Sequence, residues 1–204
     1  MSKKRSVLIP VLLVLAAALA GYMVSRQLAR TRLPELVSGT VLPAPRIVAP
    51  FALTDHLGQR FDNARLAGGP SLLFFGFTHC PDVCPTTLAL MAQLQRDPSL
   101  QALRAVFVTV DPQRDDRAAM ARYVGAFGER VTGLTGPEAA LNPLLSNLGV
   151  ARIVEARAGS DYSVDHSATL YYLNAQGALS AVFTPPLSFA DLRTDLTQLL
   201  ASGY

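Results

Sequence analysis

The sequence predicts an α/β protein in which a mixed central sheet carries helices on both faces. Short, continuous apolar runs at residues 71–77 and 103–110 are typical of strands that are buried on both sides. Segments with apolar residues at helical spacing follow them, as at residues 85–94. Near the C-terminus, two β-rich runs flank the turn residues 174–177, which predicts a hairpin.

The order of these elements narrows the fold. We predict strands at residues 50–55, 71–77, 103–110, 131–134, 150–155, 168–173 and 179–183, and helices at 85–94, 115–127, 137–148 and 189–200. Pro85 suits a first helical turn, and Gly149 suits a helix end. Strand–helix alternation followed by a hairpin and a last helix is most economically arranged as a thioredoxin-like sandwich.

The N-terminal segment has a different composition. Residues 7–24 carry no charge, follow three basic residues and approach the roughly 20 apolar residues that cross a bilayer. We therefore expect residues 1–25 to be an uncleaved membrane anchor, with a signal peptide cleaved near residues 18–20 as the alternative. Either would export the rest of the chain. Residues 26–48, which contain prolines and no periodicity, predict a linker to one domain over residues 49–204.

The basic character of the chain belongs to this N-terminal segment. Six of the 18 Lys and Arg residues lie in residues 1–32, whereas residues 34–204 carry 12 arginines against 15 acids. The domain is therefore mildly acidic, which argues against a nucleic-acid-binding surface.

The only two cysteines, Cys80 and Cys84, lie where a predicted strand leads into a helix. Ligands of open α/β sheets bind at such junctions, and a helix N-terminus lowers the pKa of a nearby thiol. We therefore expect both sulfurs to be accessible and partly ionised. Three residues separate them, one more than in a thioredoxin-type redox motif. This spacing favours a soft metal such as Cu(I) or Zn(II), with a structural disulfide that closes a very short loop as the plainer alternative.

Two thiolates leave room for a third ligand, and the chain has three histidines. His56 lies in a turn that is distant in sequence from the cysteines. The side chain of His79 is expected to point away from that of Cys80 if the chain is extended there. His166 precedes a predicted strand, in a loop that a thioredoxin-like fold places beside the cysteines. Position therefore favours His166, although spacing alone does not prove it.

Three acidic residues lie near this motif in the sequence or in the predicted fold. Asp82 separates the thiols, where it could tune their charge or remain solvated. Asp111 and Asp115 follow the second buried strand, and a turn or helix-capping role is favoured for them. Contact with a metal site or a partner is the alternative. The methionines do not cluster, which argues against a methionine-rich copper site.

Together these motifs resemble the Sco/SenC family, the copper proteins of cytochrome c oxidase assembly. The resemblance covers about residues 45–204, and only the turn at residues 174–177 lacks the Asp-Pro that is often found there. The segments that carry it are Gly76–Pro85 (GFTHCPDVCP), Val110–Pro112 with Arg114 and Asp115, and Asp165–Ser167 leading into Tyr171–Leu173.

The resemblance implies a thioredoxin-like fold and a copper ion, Cu(I) or Cu(II), bound by Cys80, Cys84 and His166, with Asp82 and Asp111 nearby. It implies a copper chaperone rather than an enzyme, held in the bacterial inner membrane by one helix with its domain in the periplasm. The implied recipient is the binuclear copper centre of cytochrome c oxidase subunit II, and another periplasmic chaperone would be the donor. The alternative is a membrane-anchored thiol–disulfide oxidoreductase that reduces the cysteines of that subunit through a redox-active Cys80–Cys84 pair.

Overall fold

The structure is a computed structural model that divides into two compact units, Met1–Pro34 and Glu35–Tyr204. It describes residues 13–23, 33–156, 162–166 and 168–204.

The first unit contains helix α1 at residues 13–23. Within the described part of the chain, no helix is long and apolar enough to cross a membrane. The predicted anchor extends at residues 1–12 and 24–25 beyond the described residues.

The second unit contains the predicted alternation of strands and helices. Its strands are β1 (Gly39–Ile47), β2 (Ala52–Asp55), β3 (Arg60–Asp62), β4 (Ser71–Gly76), β5 (Arg104–Thr109), β6 (Val131–Thr135), β7 (Arg152–Ala156), β8 (Tyr162–His166), β9 (Leu170–Leu173) and β10 (Ala178–Phe183). Its helices are α2 (Asn63–Leu66), α3 (Val83–Leu94), α4 (Arg117–Gly125), α5 (Glu138–Leu148) and α6 (Phe189–Ser202), with a 3-10 turn at Pro98–Leu100.

Eight strands form one mixed sheet in the order β1-β10-β9-β4-β5-β6-β2-β3. Strands β4, β5 and β6 are parallel, and the other pairs of this sheet are antiparallel. Strands β7 and β8 pair separately as an antiparallel ribbon. Because α3 and α4 connect parallel neighbours, the carboxyl ends of β4, β5 and β6 meet at one edge of the sheet, where ligands of α/β folds bind.

Two apolar clusters lie on opposite faces of the sheet, as alternation along the buried central strand requires. In β4, Leu72 and Phe74 belong to one cluster, whereas Leu73 and Phe75 belong to the other. Helices α3, α4 and α6 cover the first cluster, and α5 covers the second. The predicted sheet with helices on both faces is therefore confirmed.

The predicted linker is wrong over the residues that form β1. This strand pairs with β10 at the edge of the sheet, with an irregular register between Val41 and Arg46. Pro43 and Pro45 argue against a strand when the sequence is read alone, because an interior strand would not tolerate prolines. An edge strand tolerates them, since one side of its backbone needs no partner.

A buried carboxylate holds the chain where it enters β1. Asp195 of α6 is fully buried and accepts hydrogen bonds from the backbone N–H groups of Val37, Ser38 and Gly39 at 2.6, 2.9 and 3.1 Å. The Ser38 hydroxyl donates to the same carboxylate at 2.9 Å. The compact domain therefore begins before residue 49, and α6 fixes its first segment.

Several predicted helix and turn ends agree with the structure. Gly149 adopts a left-handed conformation, with φ of 72°, and ends α5. The Asn174 side chain accepts hydrogen bonds from the backbone N–H groups of Gln176 and Ala178 in the β9–β10 turn. Helix α4 begins at Arg117, two residues later than predicted, because Asp116 and not Asp115 is its N-cap.

Candidate metal centre

The two cysteines lie where the loop after β4 leads into α3, at the carboxyl edge of the parallel strands. Cys80 is partly exposed, whereas Cys84, in the first turn of α3, is fully buried. The two sulfurs are not joined in a disulfide. Cys80 packs against the apolar cluster that contains Cys84. Burial raises the pKa of Cys84, and the charge of Cys80 and a hydrogen bond with it raise this pKa further. The predicted position of both cysteines at a strand-to-helix junction agrees with the structure, whereas their role as metal ligands or as a redox pair stays a prediction.

The prediction that both thiols are accessible and partly ionised is wrong for Cys84. Burial is the largest influence on the Cys84 thiol and raises its pKa well above the ordinary value of 9.0. A backbone hydrogen bond at Phe77 acts in the opposite direction without offsetting burial. The helix N-terminus alone suggested a lower pKa, but desolvation outweighs it here because the sulfur lies within the apolar cluster.

Gly76, the last residue of β4, gives the Cys84 sulfur its space. A Cβ at this position would lie 2.7 Å from the Cys84 Sγ and 2.7 Å from Cε2 of Phe107. Real Cβ atoms essentially never lie this close to another atom, so a larger residue would force the sulfur or the ring to move. Glycine is therefore required here for a close approach of sulfur to backbone, and not for an unusual φ.

Asp115 fixes the backbone that leads into Cys80. Its buried carboxylate accepts hydrogen bonds from the Thr78 backbone N–H at 3.0 Å and from the Thr78 hydroxyl at 2.6 Å. The Thr109 hydroxyl donates to the same carboxylate at 2.7 Å, and the Thr135 hydroxyl donates to the Asp115 backbone carbonyl at 2.7 Å. Asp115 thus connects the ends of β4, β5 and β6, and the predicted capping role is replaced by a positioning role.

The other two acidic residues differ sharply in environment. Asp82 is exposed at the N-cap of α3, makes no side-chain capping hydrogen bond, and accepts from the Thr86 hydroxyl through its backbone carbonyl at 2.9 Å. Asp111 is fully buried and forms an ion pair with Arg114. The Arg114 guanidinium lies 5.7 Å from the ring centroid of Phe77, so this pair packs against the residue that precedes the cysteine loop.

The three histidines occupy different parts of the domain. The His56 Nδ1 accepts a hydrogen bond from the Gly133 backbone N–H at 3.2 Å, which is a structural contact between β2 and β6. His79 is about half exposed, and its Nδ1 lies 3.1 Å from the Thr78 hydroxyl and 3.8 Å from Asp115. His166 is the last residue of β8, opposite Arg152 of β7, and not part of a loop as predicted.

The structure therefore brings together Cys80 and Cys84, whereas the side chain of His166 lies outside what it describes. Among the described side chains, no group of three His, Cys, Asp or Glu residues could hold a metal ion. No local sequence pattern indicates the roles of Gly76, Thr78 and the Asp115 carboxylate. Asp111 and Pro112, which follow a buried strand, indicate a turn, but they do not indicate that the carboxylate of Asp115 is buried.

By its fold and its site, the chain is a thioredoxin-like α/β protein with two cysteines at the carboxyl end of a central strand. The sequence profile of the SCO1/SenC family matches residues 40–201. The chain belongs to the SCO1/SenC family.

Individual relatives agree with this assignment. The protein SCO2 homolog, mitochondrial, of Mus musculus is 44% identical over 132 residues, which are 62% of this chain and 52% of the mouse protein. The chain thus spans about half the length of that mitochondrial relative. A protein of Stutzerimonas stutzeri, whose name describes it as copper-binding, is 34% identical over 190 residues. The match covers 91% of this chain and 93% of that relative.

A solved structure is similar to the domain. The structure of ScoI from Bradyrhizobium japonicum with copper bound has a TM-score of 0.69 and 33% sequence identity. The match covers 74% of this chain and 98% of that one.

Proposed function

We propose that this protein binds one copper ion through Cys80, Cys84 and His166 and delivers it to the binuclear copper centre of cytochrome c oxidase subunit II. The observation that carries the proposal is the pair of neighbouring cysteines at the carboxyl edge of β4, where Cys80 packs against the cluster that contains Cys84. The copper-bound structure of the related ScoI and the copper-binding name of the Stutzerimonas relative support the choice of metal.

The donor set suits copper by its chemistry. Thiolates are soft ligands that select Cu(I), and an imidazole accepts either copper oxidation state. Ligation removes the Cys84 proton and so offsets the burial that keeps this thiol neutral in the metal-free protein. Gly76 leaves space for the Cys84 sulfur and Asp115 holds the backbone that leads into Cys80, so that the sulfurs would be positioned before the metal arrives.

The difference in exposure between the two sulfurs suits a copper ion that is passed on to another protein better than a permanently bound one. Cys84 is fully buried, whereas Cys80 is partly exposed at the rim of the site. An incoming ligand would therefore displace Cys80 first, while Cys84 retains the ion. Transfer by ligand exchange needs such an accessible position.

Copper binding by the purified full chain tests this proposal. We expect one Cu(II) per chain with a sulfur-to-copper charge-transfer band, and loss of that band in Cys80→Ala, Cys84→Ala and His166→Ala. His79→Ala is the matched control, because its ring lies next to Cys80 in sequence but contacts Thr78 and Asp115. An unchanged band in His166→Ala would contradict the ligand set, and loss in His79→Ala would reassign the imidazole.

A second candidate function is reduction of the cysteines of subunit II. The partly exposed Cys80 could attack a substrate disulfide as a thiolate, which releases one substrate thiol and leaves a mixed disulfide with Cys80. The buried Cys84 could then attack the Cys80 sulfur and release the second substrate thiol. In this exchange the substrate gains two thiols and this chain gains the Cys80–Cys84 disulfide. Turnover by the metal-free protein that persists in His166→Ala would favour this function.

The cellular setting is part of the proposal. Residues 1–25 would anchor the chain in a bacterial inner membrane with the domain in the periplasm, where another copper chaperone could act as donor. A deletion strain scored for oxidase activity distinguishes the two functions. Rescue by added copper would favour delivery, whereas rescue by an added reductant alone would favour thiol reduction.

A further inference from the structure

Two clefts flank the Cys80–Cys84 loop, and they differ in chemistry. The first, called here the apolar groove, has a volume of about 260 Å³ and is lined by Asp82, Val83, Thr86, Thr87, Leu90, Ala168, Pro185 and Leu187. The second, called here the cationic cleft, has a volume of about 370 Å³ and is lined by Thr78, His79, Ala119, Arg122, Tyr123, Ala126 and Phe127.

The apolar groove borders the segments that carry all three proposed copper ligands. Asp82 and Val83 lie between Cys80 and Cys84 in the chain, and Ala168 follows His166 by two residues. Val83 is 44% exposed, which is a large fraction for an apolar side chain next to a reactive site. The groove is therefore an open surface at the rim of the proposed metal centre.

The chemistry of the lining indicates what the groove would accept. Its walls are aliphatic or carry a threonine hydroxyl, and Asp82 is the only charged residue among those that line it. An apolar segment would fill such a groove and remove Val83 from water, while a lysine or arginine beside that segment would face Asp82. Exposed apolar surface next to a functional site is typical of a protein-docking surface.

We propose that the apolar groove docks the protein that receives copper, and that it holds an apolar segment, flanked by a basic residue, next to the acceptor's thiols. This inference rests on the proposed copper delivery. Each new bond from an acceptor sulfur to copper replaces one bond from this chain, and each incoming thiol gives up a proton as a cysteine of this chain regains one. The copper keeps its oxidation state. Because the acceptor sulfurs must reach the ion itself, the acceptor backbone has to pass close to the cysteine loop, which the groove borders.

Charge-introducing variants of the full chain test the proposal. Val83→Glu and Leu187→Glu each place a carboxylate in the lining of the groove, from two segments that are far apart in the chain. Ile47→Glu is the control, because Ile47 is 82% exposed and pairs with Ala178 at the start of β10, whereas Pro185 follows the other end of that strand. The acceptor is the purified copper-binding domain of cytochrome c oxidase subunit II with its thiols reduced.

Two readouts separate docking from copper chemistry. Calorimetric titration of the metal-free chain with the acceptor measures docking, and we expect its Kd to rise about tenfold in both groove variants and to remain unchanged in Ile47→Glu. Copper stoichiometry is measured on the same proteins. If the parent chain fails to bind copper, the proposed function is wrong, and the metal-free titration still decides the docking surface.

Two results would overturn the groove proposal. In the first, both groove variants bind the acceptor as Ile47→Glu does, or the parent chain does not bind it at all. In the second, Arg122→Glu weakens binding and the groove variants do not, which would assign docking to the cationic cleft. If one groove variant no longer binds the same amount of copper as the parent chain, its docking result is excluded, and the other groove variant tests the proposal.

Discussion

At the scale of single residues, the site depends on the absence of a side chain at Gly76. Gly76→Ala should displace the Cys84 sulfur or the Phe107 ring, since the new Cβ would lie 2.7 Å from atoms of both. We expect a loss of about 1–3 kcal/mol in the free energy of unfolding, together with weaker copper binding. Chemical denaturation and copper titration measure the two effects.

Gly125→Ala is the matched control for this substitution. A Cβ at Gly125 meets nothing within 4 Å, and the residue lies in α4. This variant should be as stable as the parent or slightly more stable. Equal behaviour of the two variants would refute the role given to Gly76.

The two thiols should differ in reactivity as they differ in burial. In the native metal-free protein at neutral pH, we expect iodoacetamide to modify Cys80 at least about tenfold faster than Cys84. Cys84 is fully buried, and burial raises its pKa, so both access and thiolate fraction are low. Peptide mass spectrometry gives both rates. The difference should vanish in denaturant, and equal native rates would show that Cys84 is not protected.

At the scale of elements, strand β1 depends on one carboxylate. Asp195→Ala would leave the backbone N–H groups of Val37, Ser38 and Gly39 without their acceptor. We expect a loss of about 3 kcal/mol in the free energy of unfolding and faster amide exchange at residues 37–47.

The control for this element is Asp191→Ala, one turn earlier in α6. Asp191 lies in the first helical turn, where its charge is worth only about 0.3–1 kcal/mol. If Asp195→Ala left amide exchange in β1 at the parent rate, the proposed attachment of β1 to α6 would be wrong.

How far the sequence predicts these elements depends on whether the signal is local. Strand β4 and helix α3 were predictable because buried runs, helical spacing and Pro85 are features of adjacent residues. Strand β1 was not, since its prolines obscure a pairing that depends on β10 and on a distant aspartate.

The same distinction applies to the site. The proximity of Cys80 and Cys84 follows from their position at a strand-to-helix junction. The burial of Cys84 and the contacts of Asp115 depend on packing across the sheet, which no local pattern encodes. Whether the ring of His166 joins the thiols is still a prediction.

At the scale of the whole molecule, acid should weaken an attachment between the 3-10 turn and α6. Asp97 accepts hydrogen bonds from the Ser99 hydroxyl and backbone N–H at 2.7 and 2.9 Å, and it pairs with Arg193. The Ser99 side chain, then its backbone, then Arg193 lower the pKa of Asp97 from 3.8 to about 2.

Because the folded-state pKa is the lower one, the contribution of Asp97 is complete above pH 3.8 and is lost as the pH falls through about 2. The Tm of Asp97→Asn should therefore lie below that of the parent at neutral pH, and the gap should close across this acidic range. Thermal scans at several pH values measure it. A gap that stayed constant into the acidic range would contradict the assignment.

The carboxyl edge of the sheet has one further property that follows from Asp115. Since Thr78, Thr109 and Thr135 all donate to this one residue, the ends of β4, β5 and β6 cannot open independently. Local opening near Cys80 would have to break the hydrogen bonds of the neighbouring strand ends as well. Amide protons at these three positions should therefore exchange as one cooperative unit, and the loop that carries Cys80 would open at the same rate as all three strand ends.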